Sequence, residues 1–328
     1  MPGMVIHTWL ALEILDRWKR RGDAPFDVTD PLVRQAFLNG SMGPDMGLFP
    51  GGNRLLTSLV HHIRSGQMAR NLVHQASRPV ELSYAWGWFS HLMGDVVIHP
   101  LINRAVQRHF GPERAPQLAS GQDERAHRLV EMGLDAYWGH TRGHRCQWFQ
   151  PMWDLEATEH LAAALRSTYQ IEFSADVLLT SHRALARYSR TLCLLGRIHG
   201  ARLARAPVPW DCLHHYWFRY LPVRTITALF RPNSTAFDLT HSLSPDHQLI
   251  EQVAGVMETY FDRFFAGVRS RLAELPDYDL HWGTLASEVE GYPPAEEARS
   301  EWAARLERMP SQYGSGNTGR ARPLNGGA

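Results

Sequence analysis

The sequence predicts an all-α protein built as a multi-helix bundle, and three observations support this fold class. Apolar residues recur every three or four positions, as with Leu10, Ile14 and Trp18, which is the period of one helix face. No segment of the 328 residues shows the strict alternation of a convincing strand, and none repeats another. Gly and Pro separate the periodic segments, as expected of loops between helices.

The predicted helices follow one another along the chain. The first helix ends near Gly22, the second begins at Pro31 and ends near Gly40, and a loop rich in Gly and Pro follows. The further helices are expected at 54–63, 67–75, 80–108, 122–138, 154–168, 174–205, 245–274 and 295–308. Pro100 is expected to kink or break the longest of them, since it removes one backbone donor. A linker is expected at 111–121 and a loop at 139–151.

Residues 1–309 are predicted to form one domain, with a metal-site half at 1–140 and a helical extension at 141–309. The tail at 310–328 is predicted to be disordered, because it contains mostly Gly, Ser, Asn, Pro and Arg.

The most informative segment carries a metal-capable side chain at every fourth position: His91, Asp95 and His99. This spacing puts all three on one helix face, and the apolar flanks indicate that the face is buried. Buried ionisable groups cost on the order of several kcal/mol unless they are neutralised. A mixture of imidazole and carboxylate suits zinc better than calcium or magnesium.

Other residues extend this pattern. His127 and Glu131 are again four positions apart, and Asp45 ends a turn rich in Gly and Pro. His61 lies within the predicted helix at 54–63, and His7 lies ahead of an amphipathic helix near the start of the chain. Taken singly, a buried His is usually a hydrogen-bonded core residue and a His/Glu pair a solvated helix face. Together they favour metal ligation by eight residues: His7, Asp45, His61, His91, Asp95, His99, His127 and Glu131. His62 diverges from His61 by about 100° on a helix and is expected outside the site.

The order of these motifs resembles the zinc-dependent phospholipase C family, whose site and fold the S1/P1-type nucleases share. The resemblance covers residues 1–140: an N-terminal His, a Gly-x-x-x-Pro-Asp turn, a helical His, a His-x-x-x-Asp-x-x-x-His helix and a His-x-x-x-Glu helix. It implies an all-α fold and two or three Zn²⁺ ions in one cleft.

The resemblance also implies how the ligands divide among the zinc ions. One ion is expected at Asp45, His61, His91 and Asp95, and a second at His99, His127 and Glu131. A third is expected at His7, the shared Asp95 and the chain's N-terminus. Secreted members offer an N-terminal Trp there, whereas this chain begins Met1-Pro2-Gly3. We expect Pro2 to take that place after removal of Met1, the alternative being that only two ions bind.

Composition bounds the partners. The net charge of +1 gives no electrostatic case for a stable nucleic-acid partner. The three cysteines are odd in number and form no Cys-x-x-Cys motif, which is typical of reduced thiols. The sequence shows no signal-peptide pattern and no run of about 18 apolar residues. A cytoplasmic protein without a transmembrane segment is therefore expected.

The predicted function is that of a zinc-dependent hydrolase. Zinc lowers the pKa of a bound water toward about 7, so a metal-bound hydroxide can attack a phosphodiester. Asp45 is the predicted catalytic residue, orienting or deprotonating that water. A phospholipid or a small phosphodiester is the expected substrate. The alternative is a catalytically degenerate helical zinc protein that acts as a binding module.

Overall fold

We describe a computed structural model, which covers residues 3–111, 124–141, 155–206 and 243–288 and the pair Arg322–Pro323. The chain is helical, as predicted. The helices are α1 (Met4–Arg21), α2 (Pro31–Gly40), α3 (Arg54–His62), α4 (Ser65–Gln75), α5 (Pro79–Phe110), α6 (Glu124–Thr141), α7 (Leu155–Tyr169), α8 (Ala175–Leu203) and α9 (His247–Ser270). Four strands of two residues each accompany them: β1 (Ile171–Glu172), β2 (Tyr278–Asp279), β3 (Thr284–Leu285) and β4 (Arg322–Pro323).

The helix ends follow from local chemistry. Gly22 adopts a left-handed conformation with φ 69° and donates its N–H to the Trp18 carbonyl, which ends α1. The side chain of Asp30 accepts hydrogen bonds from two N–H groups in the first turn of α2. Pro31 follows at the first position of the helix, where its missing N–H removes no helical bond.

Helix α5 runs through the middle of the protein and is apolar on nearly all sides, as a buried helix must be. It packs most extensively on α2. A Cβ on Gly40 would lie 2.1 Å from the Tyr84 carbonyl oxygen, and one on Gly87 would lie 2.1 Å from that of Phe37. These two glycines therefore permit the backbones to approach closely, which brings the turn after α2 against α5.

Pro100 neither ends nor breaks α5, which continues to Phe110. Pro has no N–H to donate to the Val96 carbonyl, so this carbonyl lacks its usual helical partner. Gly283, with φ 66°, packs against that place: a Cβ there would lie 2.8 Å from the Val96 oxygen and 2.7 Å from Pro100 Cδ. Gly283 belongs to residues 278–285, here called the C-terminal hairpin, in which β2 pairs antiparallel with β3.

One hydrophobic cluster joins buried residues from Met4 in α1 to Leu280 in the C-terminal hairpin. The four short strands were not expected from the sequence. They form two ladders, β1 with β4 and β2 with β3, and backbone pairing over only two residues does not require an alternating sequence pattern. Among the described residues, no helix is both long enough and apolar enough to cross a membrane.

Other expectations differ from the structure or fall outside it. Helix α6 continues to Thr141, so His140 is helical and not part of a loop. The linker at 112–121, the loop from residue 142 onward and the helix at 295–308 lie outside the described residues. So does the tail at 310–328, apart from Arg322–Pro323, which pairs with β1.

Candidate metal centre

The structure brings all eight candidate ligands together, although they come from four helices and a loop. All eight are buried. His7 lies in α1, Asp45 in the turn after α2, His61 in α3, His91, Asp95 and His99 in α5, and His127 and Glu131 in α6. Their potential ligand atoms form three groups, in each of which the atoms lie within 4.8 Å of one another. We call these the Asp45 group (Asp45, His61, His91), the His7 group (His7, His91, Asp95) and the Glu131 group (His99, His127, Glu131).

In the Asp45 group, a carboxylate faces two imidazoles. His61 Nε2 lies 3.2 Å from Asp45 Oδ1, and His91 Nε2 lies 3.9 Å from Asp45 Oδ2. His61 Nε2 is also 3.6 Å from Asp95 Oδ2. These atoms converge as the sequence led us to expect for one zinc ion.

Asp95 lies at the centre of the whole arrangement. Its Oδ2 is 3.3 Å from His91 Nε2, while its Oδ1 is 3.1 Å from His7 Nε2 and 3.7 Å from His99 Nε2. The ring of His7 stacks on that of His91 with centroids 3.8 Å apart. One carboxylate therefore faces imidazoles on both sides, which is the arrangement of a ligand shared between ions.

The Glu131 group lies at the His99 end of the row that His91, Asp95 and His99 form on α5. Glu131 Oε1 is 2.8 Å from His127 Nε2 and 3.2 Å from His99 Nε2. The rings of His99 and His127 meet edge to face with centroids 5.2 Å apart. Two imidazoles and a carboxylate make the three protein ligands that a zinc site with an open position requires.

The hydrogen bonds on the other side of each ring test whether a cation fits. His61 Nδ1 donates to the Thr57 carbonyl and His91 Nδ1 to the Ser41 carbonyl, each at 2.8 Å. His99 Nδ1 donates to the Leu280 carbonyl. Because a carbonyl only accepts, each Nδ1 carries the proton, and each Nε2 of a neutral ring has a lone pair that faces carboxylate oxygens.

Those inward-facing atoms have no hydrogen-bond partner within the described residues. They are Nε2 of His61, His91 and His99, both ring nitrogens of His7, and both carboxylate oxygens of Asp45 and Asp95. Buried lone pairs turned toward one another are costly unless a cation lies between them. The donor set therefore fits zinc, which takes imidazole nitrogen and carboxylate oxygen together.

The pKa shifts of these carboxylates and imidazoles also favour a cation at the centre. Burial raises the pKa of Asp95, but the neighbouring imidazoles, His91 first, bring it well below its usual value. Burial lowers the pKa of His91, yet the carboxylates of Asp95 and Asp45 outweigh it and raise the pKa to about 8. Burial, aided by His91, lowers the pKa of His7 to about 4. The centre thus holds ionised carboxylates that attract a cation.

Sequence reasoning missed Asp135, which follows Glu131 by four residues and extends the row of α6. Its carboxylate accepts hydrogen bonds from the backbone N–H of Val5 at 2.9 Å and of Ile6 at 2.8 Å. Burial raises the pKa of Asp135 to about 7. Asp135 therefore holds the first turn of α1 and, through it, His7. The signal was present, since residues 127, 131 and 135 have the same spacing as the row in α5.

Sequence reasoning also missed the residues that orient the Glu131 group. His127 Nδ1 donates to Asn103 Oδ1 at 2.9 Å, and Asn103 Nδ2 donates to the His281 carbonyl at 3.1 Å. The C-terminal hairpin thus reaches the site by backbone atoms, which no sequence motif reveals. His62 lies outside the three groups, as expected, and is half-buried with Nδ1 3.3 Å from Asp279 Oδ2.

Residues 6–191 match the family model described as zinc dependent phospholipase C. The chain belongs to the zinc-dependent phospholipase C family. The match extends past residue 140, where the visible motifs end, and includes α7 and most of α8. Neither the curated proteins nor the solved structures contain a match to this chain. Family membership supports a hydrolase and zinc, and both accord with the geometry of the three groups.

Pro2, the expected N-terminal ligand of the His7 group, lies outside the described residues together with Met1. The proposal that it binds the third ion stays a prediction.

Proposed function

We propose that this protein is a zinc-dependent phosphodiesterase of the phospholipase C type, acting on a phospholipid or a small phosphodiester. The observation that carries the proposal is the set of three groups of buried candidate ligand atoms: two of the groups share His91, and Asp95 Oδ1 lies 3.7 Å from His99 Nε2 of the third. In the two groups that share His91, the inward-facing nitrogen and oxygen atoms have no hydrogen-bond partner within the described residues. Membership of the zinc-dependent phospholipase C family supports the same reaction.

The residues divide the work among the groups. His61 and His91 with Asp45 would hold one zinc ion, and His99 and His127 with Glu131 would hold another, while His7 and Asp95 would offer ligands for a third. When bound, zinc lowers the pKa of water toward about 7 and polarises phosphoryl oxygens. The backbone carbonyls of Ser41, Thr57 and Leu280 keep the imidazoles turned so that Nε2 faces inward.

Asp45 is the residue to which we assign proton handling. Its two oxygens are buried and have no hydrogen-bond partner within the described residues. Burial raises its pKa, but His91 and His61 bring it below its usual value, so the carboxylate is ionised at neutral pH. An ionised carboxylate at this place can orient an attacking water or accept its proton.

The test joins metal content with turnover. Elemental analysis of the purified chain should show two or three zinc ions, and the zinc-loaded protein should release nitrophenol from bis(p-nitrophenyl) phosphate. Phosphatidylcholine vesicles and a dinucleotide, assayed in parallel, distinguish lipid from other phosphodiesters. His247→Gln is a suitable control variant, because His247 is exposed on α9 and, among the described residues, pairs with Glu251 of the same helix.

Zinc-loaded protein that cleaves none of these substrates would contradict the proposal. The chain would then be a helical zinc protein that acts as a binding module. Asp45→Asn sharpens the distinction, since it should reduce turnover while the Glu131 group keeps its ion. In a binding module, it would change metal content alone.

A further inference from the structure

The C-terminal hairpin lies against both ends of the metal centre, although it comes from a part of the chain beyond the family match at 6–191. The Leu280 N–H donates to the His61 carbonyl at 2.7 Å, and the Leu280 carbonyl accepts from His99 Nδ1. Asp279 Oδ2 lies 3.3 Å from His62 Nδ1. The hairpin is therefore attached to α3 and α5 at the residues that carry the ligands.

These attachments place His281 in a defined position. Its N–H donates to Asp279 Oδ1 at 2.9 Å, and its carbonyl accepts from Asn103 Nδ2 at 3.1 Å. Trp282 packs edge to face on the His281 ring with centroids 5.5 Å apart. The backbone on both sides of His281 is thus held by hydrogen bonds, so the imidazole is presented from a fixed support.

The His281 ring lies beside the Glu131 group. It stacks on His127 with centroids 4.9 Å apart and planes 30° apart, and its centroid is 6.2 Å from that of His99. His281 is half-buried, and within the described part of the chain neither of its ring nitrogens has a hydrogen-bond partner. An imidazole with partial access to solvent and a free edge therefore adjoins the candidate zinc ligands.

His281 is beside the ligand set and not part of it. The atoms that lie within 4.8 Å of one another come from His99, His127 and Glu131 alone. His281 neighbours the Glu131 group without being one of its candidate ligands, so its ring is placed to contact a molecule that a zinc ion there would bind.

We propose that His281 binds a phosphoryl oxygen of the ligand at the Glu131 group, donating a ring N–H to it. A phosphodiester has two non-bridging oxygens, and a zinc ion that takes one leaves the other for a hydrogen-bond donor of the chain. A neutral imidazole has one N–H to give. The inference rests on the proposed function, because it names the substrate contact that the hairpin contributes. The C-terminal hairpin would then help to select the substrate.

The test measures the affinity of the zinc-loaded full chain for inorganic phosphate by calorimetry. His281→Phe keeps an aromatic ring for stacking on His127 but removes the N–H, and it should raise the phosphate Kd about tenfold. His281→Gln restores an N–H donor and should stay within about threefold of the wild type. His247→Gln is the matched control on the exposed surface and should leave the Kd unchanged.

Zinc content is measured in every variant. An unchanged phosphate Kd in His281→Phe with full zinc would overturn the inference, as would wild-type protein with full zinc that binds no phosphate. Loss of one zinc ion in both His281 variants would also overturn it, since His281 would then be a ligand. If the wild type cleaves no phosphodiester but His281→Phe still weakens phosphate binding, the proposed function fails and the contact stands.

Discussion

The two ends of the metal centre are held in different ways. At the Asp45 group, His61 and His91 are oriented by the carbonyls of Thr57 and Ser41, which belong to the first hundred residues. At the Glu131 group, His99 is oriented by the carbonyl of Leu280, which follows it by 181 residues.

His127 in the same group depends on Asn103, whose amide is itself held by the His281 carbonyl. One end is thus built within the segment that matches the family, whereas the other needs a hairpin from outside it. Groups that orient metal ligands change metal affinity by about 10- to 100-fold. The comparison indicates that the metal affinity of each end can change separately, although Asp95 lies between the two ends.

The largest effect is expected from Asp95→Asn, because Asp95 faces both ends. The amide keeps the volume but removes the charge, so zinc content should fall and phosphodiesterase activity should drop by more than about 100-fold, beyond the effect of groups that only orient ligands. Elemental analysis and turnover of the same preparation measure this. Asp16→Asn, on the exposed side of α1, is the control. Wild-type turnover and full zinc content in Asp95→Asn would show that Asp95 does not connect the two ends of the metal centre.

Removal of the metal should lower stability next most strongly. Zinc at about 1,000 times its Kd contributes about 4 kcal/mol, which corresponds to a loss of about 10 °C in Tm on chelation. Hydrogen exchange should rise more in the C-terminal hairpin than in α3, since the strands of the hairpin are only two residues long. Zinc should restore both quantities and magnesium neither. An unchanged melt with metal loss verified would refute this expectation.

Asn103→Leu separates the two ends. It removes the acceptor of His127 Nδ1 and the donor to the His281 carbonyl, so zinc affinity of the Glu131 group should fall by about 10- to 100-fold. Competition with a chelator measures each affinity. Asn71→Leu is the matched control, since Asn71 donates to Thr168 away from the centre. An equal loss at both ends would mean that they are not independent.

Asp135→Ala should have the smallest effect. It removes the acceptor of two N–H groups in the first turn of α1, at a cost of about 1–2 kcal/mol in the free energy of unfolding, measured with urea. Asp30→Ala is the matched control, because Asp30 caps α2 in the same way. Both variants should lose similar stability, but only Asp135→Ala should weaken zinc binding at the His7 group. Equal zinc affinity of the His7 group in Asp135→Ala and Asp30→Ala would show that Asp135 caps α1 without affecting the metal centre.

The same residue gives a pH dependence with a defined sign. Burial raises the pKa of Asp135 from 3.8 to about 7, so the folded chain binds this proton more tightly than the unfolded chain. Its contribution to stability is therefore full below about pH 4 and is lost as the pH rises through about 7. In zinc-free protein, the wild type should lose more stability than Asp135→Ala over that range. If the stability of the wild type and of Asp135→Ala changed with pH in parallel, the assigned role of Asp135 in this pH dependence would be wrong.

Helix geometry explains why the sequence predicted so much of the centre. Residues four apart share a helix face whatever surrounds the helix, so the row of His91, Asp95 and His99 and the pair of His127 and Glu131 could be recognised from spacing alone. Asp45 and His61 came from the order of motifs in the family. Asp135 has the right spacing, but the ligand set that the resemblance implies contains no acid at that position of α6.

Other features could not be predicted in this way. One long helix at 80–108 was expected with a kink or a break at Pro100, and α5 runs across Pro100 without a break. The Val96 carbonyl that Pro100 leaves without a helical donor packs against Gly283 of the C-terminal hairpin, a contact that no local pattern reveals. His281 stood in no motif, and its place beside His127 depends on the fold of the whole chain.

The sequence by itself determined the fold class, the helix faces and the set of candidate ligands, because periodicity and side-chain chemistry are local properties. Only the tertiary structure decided which nitrogen of each imidazole faces the centre. That choice depends on carbonyl groups such as those of Ser41 and Leu280, which lie 50 and 181 residues from the rings that they hold. A backbone carbonyl is the same in every residue, so its role appears only when the chain has folded around it.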